Sequence, residues 1–160
     1  MRLKDKLLIR KEETEAASQQ IETRLQAWDR ALVALIHFIE NTLSESVEAK
    51  VLTHARTINR HQDAFLKREV ELPMLTVSAA DFKVTIQPVG LILGGGRVDI
   101  TGGVIGGRGH ALLWDGAGQA PENWKIASTT AQGKADRAKA KPLAADAFEN
   151  VLSEHLGLGK

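Results

Sequence analysis

The chain contains no cysteine, which excludes disulfides, thiolate metal sites and cysteine nucleophiles and leaves the protein indifferent to redox compartment. From Arg2 to Leu72 it also lacks proline and glycine. Nothing in that region forbids a helix, and its Ala, Leu, Glu, Lys and Arg favour one. Neither sign of charge is in excess: 21 basic residues against 20 acidic leave +1, too little for a global field that would draw the protein onto nucleic acid or an anionic membrane. Long apolar runs are missing too. Leu7 to Ile9 is far shorter than a signal-peptide core, with charges following at once, and no stretch approaches the roughly 18 apolar residues of a membrane span. The expectation is a cytoplasmic protein that makes no use of a membrane.

What is present is ordinary globular usage, 43% hydrophobic and 26% charged over 160 residues. That is enough for one sizeable core and argues against disorder. The strongest periodic signal is Ile21, Leu25, Trp28, Leu32, Leu35 and Ile39, spaced by alternating steps of four and three, which is a helix seam. Such a stripe serves either as the buried face of a helix inside the protomer or as a contact between chains. In heptad terms, Leu25, Leu32 and Ile39 take one core position and Ile21, Trp28 and Leu35 the other, about three heptads. A helix running uninterrupted to Leu72 would reach on the order of 100 Å. The polar stretch Lys4 to Gln20 also leaves an arm with little local core to dock on. Both points favour the seam as an association surface and a homo-oligomer as the assembly.

A break is expected around Glu40 to Ser46, where Asn41 can end one helix and Thr42 with Glu45 can form a capping box for a second. Val47, Val51, Ala55, Ile58 and Phe65 would be the apolar stripe of that second helix. Arg56, Arg60 and Lys67 then fall together on one side and, with Arg108 from the glycine-rich stretch 102–109, are the candidate anion-binding residues; the plainer reading is a set of solvated flanks. His54 and His61 are seven apart, about 10 Å along a helix, and cannot chelate one ion as an i, i+4 pair would. No metal site and no cofactor are expected.

At Pro73 the apolar period changes to two. Phe82 to Gln87, Arg97 to Thr101 and Trp124 to Ser128 alternate strictly, with Leu75 to Val77 and His110 to Trp114 as further strands. Short spacing with glycine-rich joints favours antiparallel neighbours, and Pro88 belongs at an edge or strand end. The glycines from Gly94 to Gly109 do not make a nucleotide loop, because Gly96 is followed by Arg97 and a strand rather than by Lys-Ser/Thr and a helix. Turns and bulges are the simpler use. His110, Asp99, Asp115, Glu122, Ser128, Thr129 and Thr130 supply acids, bases and nucleophiles without any catalytic context, so no catalytic residue is assigned. Trp114 and Trp124 read as a cross-strand core pair, 129–141 as an exposed basic linker, and Pro142 as the start of a closing helix that Gly157 ends.

The expected fold is therefore α+β: a long N-terminal helical arm of two helices, a small antiparallel sheet of four or five strands and a C-terminal helix. Residues 1–72 form a coiled-coil-like association region and 73–160 the sheet domain. The expected function is a self-associating interaction module whose arm assembles and whose sheet domain engages a protein partner. A nucleic-acid-binding or regulatory protein using the basic second helix comes next, and an enzyme with an unrecognised site third.

Overall fold

The computed structural model describes residues 1–64, 66–92, 94–105 and 109–158. The class is α+β, with a long N-terminal helix, an antiparallel sheet and a C-terminal helix. Helix α1 runs over Leu3–Thr42, about 60 Å at the usual rise. The expected break is present, but not through a capping box. The Thr42 hydroxyl donates back to the Phe38 carbonyl at 2.9 Å, and only the short helix α2, Ser44–Glu48, follows.

The second helix expected over 47–70 is not there. Its place is taken by a β-hairpin of β1, Thr53–Asp63, and β2, Arg68–Ala79, and helix extends only to Glu48 of the 72 residues expected to be helical. The physical reason lies in three residues that take the left-handed conformation without being glycine: Lys50 (φ 60°), Lys67 (φ 55°) and Ala80 (φ 51°). Lys50 stops the helical run, Lys67 closes the β1–β2 turn, and Ala80 with Asp81 makes the two-residue turn into β3, Phe82–Ile92. Such turns leave no glycine or proline signal. Phe65, assigned to the stripe of that helix, lies outside the described residues.

Among the described residues seven strands, rather than four or five, form one meander in the order β1 to β7, every neighbour antiparallel. The remaining four are β4, Gly95–Gly102; β5, His110–Trp114; β6, Trp124–Ser128; and β7, Lys141–Pro142. Pro73 lies inside β2, just beyond the end of the β2–β3 ladder at Leu75↔Ile86. Pro88 lies within β3 rather than at its end, beside a register shift between Pro88 and Gly90 and past the last β2 pairing. Pro73 thus sits where β2 is paired on one side alone, and Pro88 beside a ladder irregularity.

The second half of α1 lies across one face of the sheet, and helix α3, Ala145–His155, closes that face beside it. Pro142 belongs to β7, so α3 starts three residues later than expected; it ends at His155, two residues before Gly157 (φ 71°). Trp28 of α1 is fully buried, with ring centroids 5.4 Å from Trp114 and 6.0 Å from Trp124. Trp114 and Trp124 are the expected cross-strand pair. Gly96 lies beneath Trp28, where a Cβ would overlap the indole ring. The β1–β2 hairpin follows the helix, tied to it by the ion pairs Arg68–Glu22 and Arg56–Glu40. On the opposite face, Ala111, Leu113 and Ala127 are covered by Ala135 and Ala140 of the 129–140 connection, which is therefore only partly the free linker read from its polarity.

Two measurements check this core. Phe148 and Leu152 of α3 are 0% and 4% exposed, so Phe148→Ala is expected to cost about 3–5 kcal/mol and Leu152→Ala about 2–5 kcal/mol in denaturant unfolding; unchanged midpoints would mean that α3 does not dock. Gly96→Ala, which adds one methyl group against the Trp28 ring, is expected to cost about 1–3 kcal/mol.

Candidate functional site

The seam residues do not share one environment. Trp28, Leu32, Leu35 and Ile39 are at most 2% exposed and belong to the protomer's own core. Ile21 and Leu25 are half-buried at its margin. Beyond them every residue from 1 to 20 is exposed, although the stripe continues: Leu3, Leu7, Arg10, Thr14, Ala17 and Ile21 follow at steps of four, three, four, three and four. Leu3 and Leu7 are 70% and 59% exposed on this arm. Charge divides along it. Arg2, Lys4, Lys6, Arg10 and Lys11, with Asp5 as the one acid among them, precede Glu12, Glu13 and Glu15.

The candidate anion-binding residues are not brought together. On a strand, Arg56 and Arg60 lie four residues, roughly 13 Å, apart, and each is taken by carboxylates: Arg56 donates to Glu40, while Arg60 pairs with Glu69 and Glu71 on β2. The Arg56 guanidinium holds the Glu40 carboxyl below its usual value near 4.5, its burial opposing the shift. Lys67 is exposed in the hairpin turn, and Arg108 lies outside the described residues, as do Gly106 and Gly107.

A concave surface lies elsewhere, between α3 and strands β5 to β7. It is a cavity of about 740 Å³ whose polar wall includes His110, Ser128, Lys139, Lys141, Asp146 and Glu154. The meander builds one end of it: His110 opens β5, Ser128 closes β6, and the two are register partners. Lys141, the partner of Ile126, stands two residues along and one strand further out. The C-terminal turn of α3 then brings His155 and Glu154 over His110.

These three side chains form a chain of polar contacts. His155 is completely buried, and its Nδ1 lies 3.0 Å from the Gly102 carbonyl oxygen, which only accepts, so Nδ1 carries the proton. His155 Nε2 lies 3.0 Å from His110 Nδ1, so one of these two nitrogens carries the proton they share. His110 Nε2 in turn lies 3.4 Å from the Glu154 carboxylate. Burial pushes the His110 imidazole below its ordinary value near 6.5, and the neighbouring His155 adds to this, against an opposing pull from Glu154. The cavity thus presents an imidazole nitrogen and a carboxylate oxygen side by side. Gly102 and Gly103 permit the contact, since both have positive φ (105° and 68°) and a Cβ on Gly103 would overlap the His155 carbonyl.

His110 and Ser128 were visible in the sequence as candidate groups, whereas His155 and Glu154 were missed. The available signal is that His155 occupies a core position in the stripe Phe148, Leu152, His155, where an apolar residue is the rule. No family model, curated protein or solved structure matches the chain.

A group whose folded pKa is depressed lets the unfolded chain bind more protons as pH falls, so its contribution to stability is complete above the unfolded value and is lost as pH drops through the folded one. For His110 that window opens below about 6.5, well above the range in which Glu40 begins to protonate. Between about pH 7.5 and 5.5 the urea midpoint should fall, by no more than about 1.4 kcal/mol per pH unit for this proton, and His110→Asn should flatten the slope. Nitrogen-15 imidazole shifts should show a protonated Nδ1 on His155; a bare Nδ1 there would contradict its contact with the Gly102 carbonyl.

Proposed function

We propose that this protein is a cytoplasmic, self-associating interaction module in which the N-terminal arm of α1 pairs antiparallel with the arm of a second copy, and the sheet body is left to engage a further protein. The observation that carries this reading is the arm itself: residues 1–20, helical from Leu3, are all exposed. A free segment of this length is marginal in water. A twofold axis near Lys11 and Glu12 would set Arg10 and Lys11 of one copy against Glu13 and Glu12 of the other, with Glu15 beside them. It would also lay Leu7 over Ala16 and Ala17, and Leu3 over the half-buried Ile21. That arrangement is isologous and closes on itself, with the charges selecting orientation and the leucines supplying apolar burial.

A nucleic-acid surface has less support. It relied on Arg56, Arg60 and Lys67 sharing a helix face, and Arg56 and Arg60 instead stand on a strand within carboxylate pairs.

The test is the mass of the purified chain in solution. The wild type should be a dimer at micromolar concentration. Lys4, Lys6, Arg10 and Lys11 changed together to Glu should give a folded monomer, as should Glu12, Glu13 and Glu15 changed together to Lys, and mixing the two variants should restore the dimer. A monomeric wild type, or a mixture that stays monomeric while both variants remain folded, overturns the proposal. Leu32→Asp is the wrong probe, because it places a charge in the protomer core and should unfold the body.

A further inference from the structure

We propose that the outer edge of β1 is a docking site for an extended segment of a partner protein, which adds to the sheet as a further strand and carries Asp or Glu two residues to either side of an apolar residue. This rests on the reading of the sheet body as the part that engages a protein, and it is independent of how the arm assembles.

Pro73 decides which backbone groups β1 offers. It has no N–H, so its pairing with Ile58 cannot be a hydrogen-bonded one, in which both residues donate. The two kinds of pair alternate along an antiparallel ladder, and the register runs unbroken from Thr53 to Asp63. His54, Arg56, Ile58, Arg60 and Gln62 therefore turn their N–H and C=O groups away from β2. Among the described residues these groups make no backbone bond elsewhere, and Arg56, Ile58, Arg60 and Gln62 are exposed. The two edges of the sheet differ in this respect. β7 has only two residues, one of them Pro142, and both shortness and proline stop further pairing. β1 is 11 residues long, with no proline, no lysine and no break in register.

The side chains define what the added strand carries. Ile58 is 69% exposed and stands between Arg56 and Arg60 at steps of two, on one face of the strand. Arg56 binds Glu40 through Nε and Nη2, and Arg60 meets Glu69 and Glu71 through the same two nitrogens. Each keeps the N–H bonds of Nη1 for a further acceptor. β2 already answers β1 in this pattern, since Glu71 opposes Arg60 and the apolar Pro73 opposes Ile58. A second copy of β1 does not fit. An antiparallel pair centred on Ile58 sets Arg56 of each copy against Arg60 of the other, and a shift of two residues either way sets Ile58 against an arginine. The occupant is thus a different chain, added by main-chain bonds and selected by alternate side chains.

The probe is the acetylated and amidated peptide Thr-Glu-Thr-Val-Thr-Glu-Thr, compared with the same peptide bearing Lys in place of both Glu. Calorimetry and amide hydrogen exchange are followed on the full chain. The same measurements are made on the arm variant Lys4→Glu, Lys6→Glu, Arg10→Glu, Lys11→Glu, which removes a competing basic segment. The Glu peptide is expected to bind both proteins about tenfold or more tightly than the Lys peptide. The Arg56, Ile58 and Arg60 amides should slow in exchange on binding, while those of Thr57 and Asn59, already in the ladder, should change little. Ile58→Pro removes an outward N–H and leaves every β1–β2 bond in place, so it should keep the wild-type urea midpoint closely and lower the affinity about tenfold or more. Arg60→Gln, at an exposed position, should reduce the preference for Glu over Lys. No binding of the Glu peptide, equal binding of the two peptides, binding lost in the arm variant, or binding that leaves the Arg56, Ile58 and Arg60 amides unprotected would overturn the assignment. A dimeric wild type that ignores the peptide overturns the edge site and leaves the arm reading standing; a monomeric wild type that binds it does the reverse.

Discussion

The contact of Trp28 with the sheet is the constraint on which the rest of the structure depends. All three tryptophans of the chain meet there, one from the helix and two from adjacent strands, within 6.4 Å of one another by ring centroid. The close approach requires a residue without a side chain at position 96, and it requires indole burial that is not free of cost. Trp114 Nε1 donates to the Gly118 carbonyl at 2.7 Å, but the indole nitrogens of Trp28 and Trp124 are buried without a hydrogen-bond partner among the described residues. Each such group costs about 1–3 kcal/mol, which the aromatic burial must exceed. Once the contact is made, the direction of α1 over the sheet is set, and Leu32, Leu35 and Ile39 fall onto the strands in turn. The ion pairs that tie the β1–β2 hairpin to α1 are partly exposed and contribute little beyond register.

Where the sequence was informative, one face of an element was wet and the other dry. Phe82 to Gln87 and Trp124 to Ser128 alternate because β3 and β6 lie under the helices on one side, and the period of two survives in the residues. The β1–β2 hairpin carries no such record. β1 is an edge strand exposed over most of its length, so its composition is polar throughout. β2 buries Val70 and Leu72 near the hairpin tip but Leu75 and Val77 near β3, although its register with β1 runs unbroken from Thr53↔Ser78 to Asp63↔Arg68. Residues 72 and 75 point to opposite faces of a continuous strand, so the strong twist of a two-stranded ribbon has turned first one face and then the other toward the core. The resulting spacing, two then three then two, imitates a helical stripe. With turns made by lysine and alanine instead of glycine, a helix was the natural reading.

The candidate cavity was less legible for a different reason. Its histidines are 45 residues apart in sequence, and neither belongs to a motif. Their relation comes from two independent facts of topology: the meander puts the start of β5 beside the end of β6, and α3 returns across that corner with its C-terminal turn. A single sequence records His155 only as a polar residue in an apolar stripe. What the stripe could not say is that the ring is met by a carbonyl on one side and by a second imidazole on the other.

The seam from Ile21 to Ile39 and its extension to Leu3 show why one periodic signal can support both an intramolecular and an intermolecular reading. Helix nucleation is the costly step, and propagation adds one hydrogen bond per residue fixed. The half of α1 from Ile21 onward is nucleated by burial on the sheet, so the arm from Leu3 to Gln20 is an extension of a helix already formed. A second copy would meet a surface whose backbone is ordered in advance, and the conformational entropy lost on pairing would be confined largely to side chains. That permits a weakly apolar seam, with leucines only at positions 3 and 7 and polar residues at 10 and 14, to associate where an isolated peptide of the same sequence would not. The same argument explains the division of charge: with so little apolar area to define orientation, the basic and acidic halves are what would distinguish an antiparallel pair from a parallel one, in which like charges would face each other along the whole arm.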